Sequence, residues 1–302
     1  MPDHTPAPTG TTTRTEQRTV EVSDVSVRFR KNRFAGIRQD LDALVGIDLT
    51  ATSGEVLGIL GPNGSGKTTL FRVLAGELEP TSGSARVFGL DPTARELTAR
   101  VGYQPEGPLP FSNLPGGRFL RHMGALSGLS STQGKEAASH WLDRLDLSHA
   151  ADRPLRDYST GMRKRLALCA ALLGDPELLI LDEPTAGLDP DGSERILEIL
   201  QERAAAGGTV LLASHHLQEV EQACQRIVVL SAGHLVREGS LEDLLDNEER
   251  ALILRHIEDE KRPSVEAAAR AAGAQVIDWR RGQRHLFSLF RELREETRRS
   301  DP

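Results

Sequence analysis

The chain has 302 residues, 38% of them hydrophobic and 27% charged, with a formal net charge of −7, as for a globular protein with a core domain and a smaller appendage. This acidic balance argues against general nucleic-acid binding, which needs a basic surface to release counterions, and 4% aromatic content leaves few stacking platforms for single strands. No run approaches eighteen uninterrupted apolar residues, so the chain itself is expected not to cross a membrane, and its two cysteines, Cys169 and Cys224, are too few for a disulfide framework and read as buried thiols.

Residues 1–18 are polar and lack an apolar signal segment, which predicts a disordered tail on a cytosolic product. Thr19 to Arg28 alternates apolar and polar residues, predicting an antiparallel edge strand, or two strands with a turn at Ser23-Asp24. The basic segment from Arg30 to Asp40 reads as a hairpin loop or insertion before a strand around Leu41 to Leu49. Val56 to Leu60 is an apolar run suited to a strand buried on both faces.

That run stops at Gly61-Pro62-Asn63-Gly64-Ser65-Gly66-Lys67-Thr68, which fits G-x-x-x-x-G-K-[ST], the phosphate-binding P-loop. Glycines let successive backbone N–H groups curl around a polyphosphate, and the helix that opens here, through Thr69 and Leu70, aims its positive dipole end at the same anions. Lys67 would reach the β- and γ-phosphates of a nucleoside triphosphate, and the Thr68 hydroxyl would face Mg²⁺.

After a turn at Gly76 to Gly83, Ser84 to Phe88 reads as a short strand. From Arg118 to Leu173 the pattern is mostly helical, in three stretches broken at Ser130 to Gln133 and around Pro154, which predicts an all-helical insert between strands. Leu178 to Leu181 is another buried strand. A helix from about Asp191 to Ala206, a strand from Thr209 to Ala213, and a helix from Ser214-His215-His216 to Gln225 follow. Ile227 to Leu230 and His234 to Glu238 form two more strands, and residues 241–302 a charged, helical appendage with a strand candidate at Gln275 to Trp279. Strands alternating with helices imply a mainly parallel sheet covered on both faces.

Asp182-Glu183 ends the Leu178 strand, at the carboxyl edge where open α/β sheets bind ligands. Asp182 would hold Mg²⁺, directly or through water, and Glu183 would polarise an attacking water as general base.

The block from Tyr158 to Pro190, YSTGMRKRLALCAALLGDPELLILDEPTAGLDP, together with the P-loop, resembles the ATP-binding-cassette (ABC) ATPases over about residues 20 to 240. The resemblance implies an α/β P-loop NTPase fold with a mainly parallel core sheet, an antiparallel β subdomain, a helical subdomain over about 107–175, and a small C-terminal α/β appendage over 241–302. It further implies two such domains meeting head to tail, each signature motif closing over the ATP held by the other's P-loop. Tyr158-Ser159-Thr160-Gly161-Met162 stands at the signature, where Ser159 and Gly161 would donate to a γ-phosphate. Thr160 and Met162 depart from the usual Leu-Ser-Gly-Gly-Gln, as in export-type relatives. Gly187-Leu188-Asp189 matches the D-loop, and His215 sits at the family's switch histidine, with His216 as competitor. The Q-loop position falls on Glu106 rather than Gln104, and a carboxylate there can reach Mg²⁺ or its water. Phe29 is the first candidate to stack on adenine, and Phe34 the second.

The implied function is the ATP-hydrolysing subunit of a transporter, a homodimer or a heterodimer with a related ATPase. It would power a separate transmembrane permease, with export as the expected direction, from the inner face of the cell membrane, with ATP and Mg²⁺ as cofactors and no nucleic acid. Two other readings are a non-transport ABC ATPase acting on DNA or ribosomes, and a nucleotide sensor that barely hydrolyses. The C-terminal arginines from Arg280 to Arg299 could suggest an anionic partner, but Glu292, Glu295 and Glu296 among them favour a solvated amphipathic helix.

Overall fold

A computed structural model describes residues 17–32, 38–245 and 261–272. The chain divides into two compact units, with the boundary between Leu244 and Leu245. In the first unit, β1 (Arg18–Asn32), β2 (Arg38–Thr52) and β4 (Ser82–Val87) form an antiparallel sheet in the order β2-β1-β4. A second sheet runs β5 (Val101–Gln104), β6 (Leu178–Asp182), β7 (Thr209–Ser214), β3 (Val56–Leu60), β8 (Arg226–Ser231), β9 (His234–Ser240). It is parallel except for the β8–β9 hairpin.

Continuous apolar runs become strands buried on both faces, because each face of a parallel sheet needs a cover. Along β6, Leu178 and Ile180 enter one core, with Leu57, Ile59, Leu211 and Val228, while Leu179 and Leu181 enter the other, with Leu60, Val210 and Leu212. The first core lies under the antiparallel sheet and α1 (Lys67–Leu74), and includes Val20, Ile47, Leu70 and Phe71. Helices cover the opposite face: α2 (Gly116–Leu126), α3 (Ser131–Arg144) and α4 (Thr160–Leu172) between β5 and β6, then α5 (Pro190–Ala205), α6 (Leu217–Ala223) and α7 (Leu241–Leu245). Each fully buried leucine contributes on the order of 2 kcal/mol. In the second unit the described helix is α8 (Arg262–Ala271), which has no buried residue.

Four local expectations are corrected. β1 is the central strand of its sheet, not an edge, since it pairs with both β2 and β4; alternation reports which face is buried but not which edges are paired. It is also one strand rather than two. Val20 and Val22 are out of phase with Val25 and Val27, yet all four are buried, because Asp24 adopts φ 50° and the register shifts between Val22 and Val25. Such a bulge inserts the extra residue that returns the later valines to the core face.

The polar stretch read as a break at Ser130 to Gln133 is the start of α3. Ser130 Oγ accepts from Gln133 N, and Gln133 Oε1 in turn accepts from Ser130 N, a capping box. At the other end of the fold, Ser214 closes β7, and α6 begins at Leu217 after His215 and His216. Both cysteines are buried as expected, and burial pushes the Cys224 thiol up to about 12. Phe34, Gln275 to Trp279, the tail over residues 1–16 and the C-terminal arginines lie outside the described residues.

Candidate active site

Parallel strands point their carboxyl ends one way, so the loops after β3, β5, β6 and β7 meet at one edge of the sheet. After β3 the loop Gly61-Pro62-Asn63-Gly64-Ser65-Gly66 leads directly into α1. Gly66 has φ 109°, and a Cβ there would lie 2.7 Å from Ala43 O and from Leu44 Cδ2, so only glycine fits between the loop and β2. Gly66 offers no side chain to cap α1, which leaves the backbone donors at this helix start without a side-chain acceptor. Lys67 is buried, and its Nζ donates to Gly61 O at 2.7 Å and Pro62 O at 3.3 Å, curling the loop around the ammonium. Thr69 follows on the first turn of α1, half-buried.

Thr68 Oγ1 donates to Asp182 Oδ2 at 2.6 Å, joining the start of α1 to the end of β6. Asp182 is 1% exposed, and its Oδ1 has no partner. Burial raises the Asp182 pKa; the Thr68 hydrogen bond opposes this, the charges of Glu106 and Glu183 reinforce it, and Lys67 opposes it. A carboxylate so disfavoured, with one oxygen unpaired beside a threonine hydroxyl, is a donor set suited to a hard divalent cation.

Glu183 turns the chain sharply, with φ 53°, a left-handed conformation that costs a glutamate about 1 kcal/mol or more. Its N–H donates to Ala213 O at 3.0 Å, its carbonyl accepts from Lys164 Nζ at 2.6 Å, and its Oε2 meets His215 Nδ1 at 2.8 Å. Three elements therefore hold a buried carboxylate in place. The His215 side chain is 51% exposed while that of Glu183 is 7% exposed, so the histidine stands between the carboxylate and solvent. His216 stacks on His215 with ring centroids 4.1 Å apart and donates its backbone N–H to Ser214 Oγ. Only His215 reaches Glu183.

Glu106 lies in the exposed loop after β5, near enough for its charge to act on Asp182. Gln104 is different: it ends β5 buried, with neither amide atom partnered, on the same face as Gly102, whose hydrogen abuts Ala171 O of α4. Ser159, Gly161 and Asp189 form a second group. Ser159 caps α4 by accepting from Met162 N at 3.2 Å, and Asp189 caps α5 by accepting from Gly192 N at 3.0 Å. A Cβ on Gly161 would meet Leu188 Cδ2 at 3.1 Å, so these two caps are neighbours. Phe29, in β1 opposite Leu41, is half-buried against the first core.

Lys164 escaped the sequence reading because it sits between Arg163 and Arg165, where a run of basic residues looks like an ordinary helix surface. Its signal is positional: the second turn of α4 faces the Glu183 turn, which a chain of letters does not show.

The profile of the ABC transporter family matches residues 44–186. Among curated relatives, an uncharacterised ABC transporter ATP-binding protein of Nostoc sp. is 39% identical over 239 residues, 78% of this chain and 71% of that protein. The daunorubicin/doxorubicin resistance ATP-binding protein of Streptomyces peucetius is 37% identical over 266 residues, 82% of this chain and 81% of that protein. A Nod factor export ATP-binding protein of Cupriavidus metallidurans is 40% identical over 208 residues, 67% of each chain. The solved ATP-binding subunit of an ABC transporter superposes with TM-score 0.66 at 28% identity, covering 75% of this chain and 91% of that one. A dimeric ATP-binding cassette in a post-hydrolysis state with ADP and Pi shares the fold, with TM-score 0.66 at 23% identity over 74% of this chain and 98% of that one. With P-loop, acidic strand end and histidine gathered at one sheet edge, and relatives of this identity along most of its length, the chain belongs to the ABC transporter ATP-binding proteins, the ATPase subunits of these transporters.

Proposed function

We propose that two copies of the chain, or one copy and a related ATPase, sandwich two ATP molecules with Mg²⁺, and that closure and hydrolysis drive a separate membrane permease in the export direction. The observation that carries this reading is the Glu183–His215 pair at 2.8 Å, set one residue after the Asp182 carboxylate that accepts from Thr68. Relatives named for drug resistance and for Nod factor export favour the direction. None of the described helices is long and apolar enough to cross a membrane, and in this reading the permease is a separate polypeptide. The chain would then sit at the inner face of the cell membrane by way of that partner.

In this reading the backbone donors of Gly61 through Thr69, Pro62 aside, and Lys67 bind the phosphates. Thr68 and Asp182, with Glu106 rather than Gln104, would hold Mg²⁺, which when bound neutralises phosphate charge as bonding shifts to the attacking oxygen. Glu106 is preferred because its charge already acts at Asp182, whereas Gln104 faces α4. Glu183 accepts the proton of the attacking water, and His215 keeps that carboxylate aimed and shielded. Ser159 and Gly161 of a second copy donate to the γ-phosphate, Asp189 links the two sites, and Phe29 stacks on adenine. The cassette of residues 19–240 passes the motion through its helical part, about 107–175, while 241–302 form an appendage.

The test uses Glu183→Gln, which keeps the hydrogen-bonding shape and removes the base. Light scattering should show a monomer that doubles in mass on adding ATP and Mg²⁺, and affinity purification from native membranes should recover a membrane-spanning polypeptide. A variant that stays monomeric with ATP bound and is recovered from membranes without a related ATPase, or recovery with ribosomes or DNA instead, would refute the proposal.

A further inference from the structure

Beyond the residues that touch nucleotide, one carboxylate joins the two turns that make the hydrolytic pair. Glu219, half-buried on α6, accepts at a single oxygen, Oε2, from Thr185 Oγ1 at 2.5 Å and from Ser214 Oγ at 3.1 Å. Thr185 is two residues after Glu183, and Ser214 directly precedes His215. Both hydroxyl residues are buried, at 2% and 0% exposure, so neither has water as an easy substitute partner. Ser214 Oγ also accepts from His216 N at 3.0 Å, which pins the backbone on the far side of His215. The chain of bonds Thr185–Glu219–Ser214–His216 thus brackets the Glu183–His215 contact from both strand ends.

We propose that Glu219 is a positioning residue for hydrolysis: its carboxylate locks the turn after β6 to the end of β7 and so sets where His215 meets Glu183. This inference rests on the ATPase reading of that pair. The bond geometry matters because Glu183 is in a strained left-handed conformation and His215 is half-exposed, so neither is held by packing alone. A displacement of well under 1 Å between base and attacking water is enough to slow catalysis severalfold or more. The competing role for Glu219 is a plain helix-start acid, favourable near the N-terminus of α6 and irrelevant to turnover.

The experiment measures steady-state phosphate release by the full chain against ATP concentration, with thermal melting as the fold control. Glu219→Ala should lower kcat about tenfold while KM for ATP stays within about twofold. Glu219→Gln keeps one carbonyl oxygen able to accept from both hydroxyls, and should retain kcat within about threefold of the parent. Thr185→Val should lower kcat alone, and combined with Glu219→Ala should add little, because both cut the same link. Wild-type kcat in Glu219→Ala, equal loss in the Ala and Gln variants, or an effect confined to KM would overturn the proposal. If Glu219→Ala fails to fold, a folded Thr185→Val with unchanged kcat overturns it instead. Glu183→Gln separates the two levels: its loss of turnover beside a fully active Glu219→Ala removes this inference and leaves the ATPase reading, whereas full turnover in Glu183→Gln removes both.

Discussion

Asp182 shows most sharply how this molecule trades stability for chemistry. Its carboxylate is buried, one oxygen is without a partner, and two further acids push its pKa up. The folded state therefore holds the carboxyl proton more tightly than the unfolded chain does. This term favours folding below the unfolded pKa and is lost as pH rises through the folded value, above which the ionised group works against the fold. Asp182→Asn should accordingly raise the melting temperature of the nucleotide-free protein at pH 7, with a smaller gain in acid. Turnover should fall at least about 100-fold, because a neutral amide is a poor cation ligand. Calorimetry and phosphate release on the same preparation check both halves; a lowered melting temperature at pH 7 would mean that the charge is better compensated than its surroundings suggest.

At the scale of elements, two serines cap helices in the same way and should differ in consequence. Ser130 caps α3 within the helical insert, and Ser159 caps α4 beside Leu188 and the D-loop. Replacing either with alanine should destabilise by about 1 kcal/mol. Only Ser159→Ala should also weaken ATP-dependent dimer formation, as read by the ATP concentration that half-saturates the mass increase of Glu183→Gln; equal effects from both would assign Ser159 a structural role only. The two caps also mark what could be read from letters. Long apolar runs such as Val56 to Leu60 and Leu178 to Leu181 announce themselves as buried strands, and the P-loop announces its own turn, because there the local chemistry dictates the shape. The Ser130–Gln133 box looks like a gap in the sequence, since polar residues serve caps and loops alike. The central place of β1 depends on β4, whose residues are mostly exposed and polar, so nothing within β1 foretells it. Lys164 and Glu219 act across 19 and 34 residues of sequence, on Glu183 and Thr185, and such links exist only once α4 and α6 are docked.

For the molecule as a whole, the parallel sheet fixes the site by collecting β3, β5, β6 and β7 at one edge. The two cores on its faces tie α1, which follows the P-loop, to one side and the helical insert to the other. The turn after β6 is thereby joined to α4 by the bond from Lys164 Nζ to Glu183 O. The account stands or falls on whether this edge cleaves a terminal phosphate with Glu183 as the base. The most direct measurement is phosphate release from ATP and Mg²⁺ by the parent chain, Glu183→Gln and Lys67→Ala, with bound nucleotide quantified after rapid gel filtration. The parent should turn over. Glu183→Gln should retain ATP and lose at least about 100-fold in rate, and Lys67→Ala should lose about ten- to a hundredfold in affinity, as expected for one charge-assisted contact. Parent-like phosphate release from Glu183→Gln would contradict the account.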